Sequence, residues 1–195
     1  MGARDRLITS AVELLSSHGV AGTGIAQLLD RSGISRRSVY LNFPGGKSEL
    51  VAEATRAAGA SYSALLRSLT ADADIAACVR AFPTIWRERL ASSDFTAGCP
   101  IVAAALGRAE APEAAEAAGA IFTEWEGIVT ERLVAEKVEP DLALSLATTV
   151  VAALEGAVIL ALATGSLDPL ERVGAQMSDL IARHTAAAAA DPAGG

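Results

Sequence analysis

Residues 23–50, TGIAQLLDRSGISRRSVYLNFPGGKSEL, constrain the fold more than any other stretch of the chain. Two short helical patterns stand on either side of Ser32-Gly33, and Pro44-Gly45-Gly46 breaks the second from a longer helix. Thr23 is placed to cap the first, Gly24 to Arg31, whose Ile25, Leu28 and Leu29 face inward. Ser35 is placed to cap the second, which ends near Asn42 or Phe43. Apolar residues on both helices and a glycine at the turn give the spacing of a helix–turn–helix unit.

A helix that enters the major groove of DNA must be short, exposed and polar on one face. Ser35, Arg36, Arg37, Ser38, Tyr40 and Asn42 supply such a face, with Ile34, Val39 and Phe43 as the apolar complement. Arginine can fork two hydrogen bonds onto guanine and asparagine onto adenine. Tyrosine and serine more often hold phosphate, which sets register without reading sequence. Lys47, opening the next helix, is placed to meet a phosphate together with backbone N–H groups. Thr23 completes the set of expected DNA contacts. The competing reading makes Arg36 and Arg37 an ordinary solvated face; the packing logic around them favours the first.

The net charge of −7 argues against a generic nucleic-acid coat. Residues 1–50, however, carry six basic and four acidic groups, a balance of +2 that leaves −9 for the rest. A mildly basic head on an acidic body confines any DNA contact to one end. About half the residues are apolar, alanine dominates, and β-branched runs are short, so the chain reads as all-α. Cys78 and Cys99 form no metal-type spacing with His18 or His184, which implies no metal or cofactor and a reducing cytoplasm. The charged N-terminal stretch does not read as a signal peptide. Residues 142–167 are long and apolar enough to span a bilayer. Glu155 near their centre would cost roughly 2.5–3.5 kcal/mol there, and the ends lack cationic and aromatic anchors. A helix buried on several sides in a soluble dimer is the expectation, with no membrane partner.

Along the chain, a first helix runs from Arg4 to His18 and stops at Gly19. After the head, helices are expected from Lys47 to about Leu69 and from Asp74 to Leu90, the latter strained at Pro83. Others follow from Cys99-Pro100 to about Arg108, from Ala111-Pro112 onward, from Pro140 to about Thr164, and from Asp168 to about His184. This organisation, about nine helices, assigns a DNA-binding domain to residues 1–46, a second domain to 47–185 and a flexible tail to 186–195.

The head resembles the DNA-binding domain of the tetracycline-repressor (TetR) family of bacterial regulators. The resemblance rests on Ala11, Leu14, Leu15, Gly19, Thr23, Leu28, Leu29, Ser32-Gly33-Ile34-Ser35, Val39-Tyr40, Phe43, Lys47, Glu49 and Leu50. TGIAQLLDRSG, NFPGGKSEL and GCPIVAAAL (residues 98–106) are similar to the LmrA/YxaF-like branch. Many relatives have glycine where Arg37 stands, and histidine or phenylalanine where Asn42 stands, so a relative's base preference does not carry over. The resemblance implies a transcriptional regulator, commonly a repressor, that binds double-stranded operator DNA as a homodimer and responds to a small-molecule effector.

The sequence offers separate material for the effector and the dimer. Phe82, Ile85, Trp86, Phe95, Cys99, Ile101, Phe122, Trp125 and Val129 form the main aromatic and apolar group outside the head. They suit a mostly apolar pocket, where Arg87, Glu124 or Glu126 could hold a polar group; taken one at a time, the apolar residues read first as ordinary core. Val150, Leu154, Val158 and Leu162 recur every four residues, as do the small Ala153, Ala157 and Ala161. With Val173, Met177 and Leu180 they suggest a four-helix dimer interface. The alternative is a helical enzyme or binding protein using Cys99 as a thiol at a helix start. No base lies near Cys99 in sequence, and no phosphate loop or nucleophile–base pair supports catalysis.

Overall fold

The computed structural model describes residues 2–71 and 74–190. Among them it has nine helices and no strand: α1 (Ala3–Gly22), α2 (Ile25–Ser32), α3 (Arg36–Asn42), α4 (Gly46–Thr70), α5 (Ile75–Ser92), α6 (Pro100–Leu106), α7 (Pro112–Ala135), α8 (Pro140–Thr164) and α9 (Asp168–Ala190). The chain forms two compact units, each made of two stretches of sequence. The first unit is residues 1–62 with 96–121, the second 63–95 with 122–195.

In the first unit, α1 is the scaffold. Leu7, Ala11 and Leu14 on one face bury against Leu28 of α2, Val39 of α3, Phe43, and Leu50 and Ala54 of α4. The helix does not end at Gly19, as its sequence suggests. Gly19 adopts φ +66° and kinks it, and helical turns resume to Gly22. A non-glycine residue pays a steric penalty at such a φ. The kink leaves the Ser16 carbonyl to accept the Gly98 N–H at 2.9 Å, which ties the segment before α6 to the back of α1. α6 then packs along α1, and Gly107 at its end meets Val20 so closely that an added Cβ would lie 2.2 Å from Val20 Cγ2. Gly59 of α4 is similarly close to Ile121 of α7.

In the second unit, α9 packs on both α5 and α8. Pro83 sits inside α5, where it supplies no N–H to the carbonyl of Val79. Gly174 of α9 lies against that turn: a Cβ there would be 3.0 Å from Pro83 Cγ and 3.6 Å from the Val79 carbonyl oxygen. Two exposed ion pairs, Arg80–Asp179 and Arg87–Glu171, flank the α5–α9 seam. α8 begins at Pro140 and ends before Gly165, which is left-handed at φ +60°. Its mean hydropathy of 2.1 makes it long and apolar enough to cross a membrane by length and composition. Its inner side, Ala143, Leu146, Ala147, Val150 and Leu154, belongs to the core formed with Ile75, Val79, Val129, Leu133 and Ile181. α9 runs on to Ala190, so residues 186–190 are helical where a tail was expected; residues 191–195 lie outside the described part.

Candidate nucleic-acid interface

α2 stops because Gly33 takes up a left-handed conformation (φ +63°, ψ +21°) while its N–H still closes onto the Leu29 carbonyl. The Arg6 guanidinium donates to the Ser32 carbonyl, and Ser32 Oγ accepts from the Ile34 N–H, which fixes the turn. Ser35 then caps α3, its Oγ accepting the Ser38 N–H at 3.2 Å. Val39 and Phe43 are fully buried, and Arg4 stacks over the Phe43 ring at 5.2 Å. These two anchors fix which side of α3 faces out.

That outer side carries Ser35, Arg36, Arg37, Tyr40 and Leu41, all exposed, with Ser38 and Asn42 half-buried at its edge. Among the described residues, Arg36 and Arg37 make no ion pair, nor does Lys47. Other cations of the same unit are held: Arg31 by Glu13, and Arg4 and Arg56 by Glu53. The hydrogen bond from Arg4 is the main reason the Glu53 carboxyl is held below its ordinary range, against the smaller opposing effect of burial. Three cations away from α3 thus have acidic partners, whereas Arg36 and Arg37 on α3 have none among the described residues.

Two expected contacts sit differently from their sequence reading. Thr23 does not cap α2; Gly24 occupies that position. Thr23 is wholly enclosed, its hydroxyl donating to the Gly19 carbonyl at 2.7 Å, so the α1 kink consumes it and no side-chain surface is left for DNA. Asn42 turns its amide back along α3, Nδ2 donating to the Ser38 carbonyl at 2.8 Å. Lys47 lies in the first turn of α4, half-buried. There the Gly45 N–H donates to the Glu49 carboxylate at 2.7 Å, so one N–H of that helix start already has an anionic partner. Leu41, absent from the sequence-based set, is 70 % exposed.

The expected pocket residues divide between the two units. Cys99 and Ile101, both buried, belong to the first. Phe82, Ile85, Trp86, Phe95, Phe122, Trp125 and Val129 belong to the second. Within it, Phe82 and Trp86 are paired at 6.1 Å, and Phe122 and Trp125 meet edge-on at 5.4 Å. Ile85 is exposed and Val129 is part of the core. A polar relay crosses from α7 to α4: Trp125 Nε1 donates to Ser63 Oγ (3.1 Å), Ser63 to Glu124 (2.8 Å), and Arg67 to Glu124 (3.0 Å). Arg87 is engaged by Glu171. Among the described residues neither cysteine is in a disulfide; burial is the main influence pushing Cys78 up, and its Sγ donates to the Leu69 carbonyl. Among the described residues no cluster of three His, Cys, Asp or Glu side chains could hold a metal.

Of the residues expected to face a second subunit, Val150, Leu154, Ala157, Val158 and Ala161 are buried within the chain itself. Ala153, Leu162, Val173, Met177 and Leu180 are half-buried, the last three packing on the core of the second unit. The apolar side chains that α8 leaves outward are Leu142, Leu144, Ile159 and Leu160.

A capped, anchored short helix with a free cationic face, set after a left-handed glycine turn, defines a helix–turn–helix DNA-binding protein. Residues 7–54 match the family model described as bacterial regulatory proteins, tetR family, and residues 75–176 match that of the LmrA/YxaF-like transcriptional regulator C-terminal domain. An uncharacterized HTH-type transcriptional regulator of Mycobacterium tuberculosis (strain ATCC 25618 / H37Rv) is 34% identical over 187 residues, covering 92% of this chain and 94% of the relative. The HTH-type transcriptional regulator LmrA of Bacillus subtilis (strain 168) is 27% identical, covering 93% and 97%. Among solved structures, a TetR transcriptional regulator from Legionella pneumophila superposes with a TM-score of 0.83 at 17% identity, covering 92% of this chain and 97% of that one. The regulatory protein TetR from Rhodobacter sphaeroides gives 0.81 at 20% identity, covering 91% and 97%. The chain belongs to the TetR family of bacterial transcriptional regulators, in its LmrA/YxaF-like branch.

Proposed function

We propose that this regulator is a cytoplasmic repressor, without enzymatic activity or cofactor, that binds a near-palindromic operator as a homodimer and releases it when a small, mostly apolar effector binds. The observation that carries the DNA contact is the outer face of α3, where Arg36 and Arg37 are exposed and have no acidic partner among the described residues. Ser35, Ser38, Tyr40 and Lys47 serve the phosphates, and Arg37 and Arg36 read base edges. The edge-on and tilted aromatic pairs of the second unit support a pocket for a flat apolar molecule. The dimer is best supported on the outer side of α8, where Leu144, Ile159 and Leu160 are 51 %, 49 % and 52 % exposed beside the small Thr148, Ala152 and Ala163. A face of this kind lets a second helix approach closely in a bundle across a two-fold axis. The same contact accounts for the hydropathy of α8 without a membrane.

The test is selection of duplexes from a random library by the purified protein, followed by affinity measurement against salt. The expected result is a near-palindrome with half-sites one helical turn or a multiple apart. Its affinity should exceed that for random DNA by a factor on the order of 10³ or more. Sharply salt-dependent binding with no preferred sequence overturns the reading.

A further inference from the structure

We propose that Leu41 is a base-reading residue that seats against the C5-methyl group of a thymine in the major groove. The inference rests on the DNA-reading function above and adds a contact that the polar residues of α3 do not make. In the first fifty residues Tyr40 and Leu41 are the only exposed large hydrophobic side chains among those described. Every other large aliphatic or aromatic residue of the described head is buried or half-buried. The position of Leu41 on the helix sharpens this. At about 100° per residue, Leu41 lies about 180° from the bisector of Val39 and Phe43, the two side chains that anchor α3. It therefore crowns the outer ridge, with Arg37 one turn before it.

The residue that protrudes furthest from a helix seated in a groove meets base edges. An isobutyl group there has one apolar feature to meet, because the thymine methyl is the apolar group a base pair presents in the major groove. The neighbouring cations, Arg36 and Arg37, are drawn to phosphate and guanine and bring the leucine in with them. Asn42 does not compete for the same spot, since it is half-buried and its amide is bonded to the Ser38 carbonyl.

The experiment uses the full-length protein and the duplex it selects from random DNA. Each thymine is replaced in turn, symmetrically in both half-sites, by deoxyuridine, which keeps every hydrogen-bonding group and removes only the methyl. Burying one methyl is worth a factor of about four, so two half-sites predict a loss on the order of tenfold at one position. Leu41→Ala should bind the thymine and deoxyuridine duplexes equally at that position. Because Leu41 touches little of the head, its replacement should leave thermal unfolding unchanged, which a melt checks alongside. If wild-type protein selects a duplex but no deoxyuridine costs affinity, or the cost persists in Leu41→Ala, the assignment of Leu41 is wrong and the DNA-reading function stands. If wild-type protein selects no duplex at all, both fall together.

Discussion

Replacing Gly107 by alanine tests how tightly the end of α6 is fitted against α1. The added Cβ would lie 2.2 Å from Val20 Cγ2 and 2.7 Å from Val20 Cβ. Val20 is buried, and its Cβ cannot swing aside, because it is the stem of a β-branched side chain fixed to the helix. Relief therefore requires α6 or the end of α1 to move. Overpacking of this kind costs about 1–3 kcal/mol. Removing glycine from the unfolded chain returns about 0.4–1 kcal/mol, since φ −84° at this position suits alanine. The net loss should be about 1 kcal/mol, a fall in Tm of about 2–4 °C for a chain of this size. Thermal and urea unfolding of four proteins decides it: wild type, Gly107→Ala, Val20→Ala and the double variant. Val20→Ala alone should destabilise by leaving a gap. In the double variant the 2.2 Å contact is gone and the 2.7 Å one remains, so the combined loss should be smaller than the sum by about 1 kcal/mol. Strict additivity, or a Gly107→Ala protein as stable as wild type, would refute the close fit.

Arg37→Ala should cost about 1–3 kcal/mol per half-site on the selected operator and relax preference at one position of each, whereas Lys47→Ala should weaken all duplexes alike and, with two half-sites, lower the salt slope by about 1.8; titrations at several salt concentrations separate the two. Glu53 is held below its unfolded carboxyl value by Arg4, so the pairing stabilises above that value and is lost as pH falls through the folded one. Between about pH 5 and 3 the wild type should therefore lose more stability than Glu53→Gln, read from urea midpoints, and parallel pH profiles would contradict this. Leu160→Asp puts a charge on the outer side of α8, where it should shift sedimentation from dimer towards monomer while the helical circular dichroism remains; an unchanged oligomer would move the interface elsewhere.

Punctuation by proline, glycine and capping residues carried much of the fold into the sequence. Pro140 and Gly165 mark the ends of α8, and Gly33 with Ser35 marks the turn before α3. Orientation was harder to read. α8 is apolar on nearly every side, so its four-residue stripes do not say which one faces inward, and the stripe at Val150 and Leu154 turned out to be core. The run of alanines after His184 has no stop signal and the highest helix propensity, so α9 continues through it. Thr23 looked like a cap because threonine favours that role, but the kink at Gly19 claims its hydroxyl first. Leucine favours core by residue type, yet the angle of Leu41 from Val39 and Phe43, legible in the sequence, puts it on the outer side of α3, where it is exposed.

The bond from the Gly98 N–H to the Ser16 carbonyl has a bearing on how the protein is made. The first compact unit is discontinuous: its α6 and the start of α7 are synthesised after residues 63–95. A nascent chain that has just finished α4 holds Val20 without Gly107 and the Ser16 carbonyl without its donor. At 5–20 residues per second, the 59 residues from 62 to 121 take about 3–12 s to add. During that interval the reading helix exists on an unfinished support. A fragment cut after α4 would keep that state, so its stability and its affinity for DNA should fall below those of the longer chain.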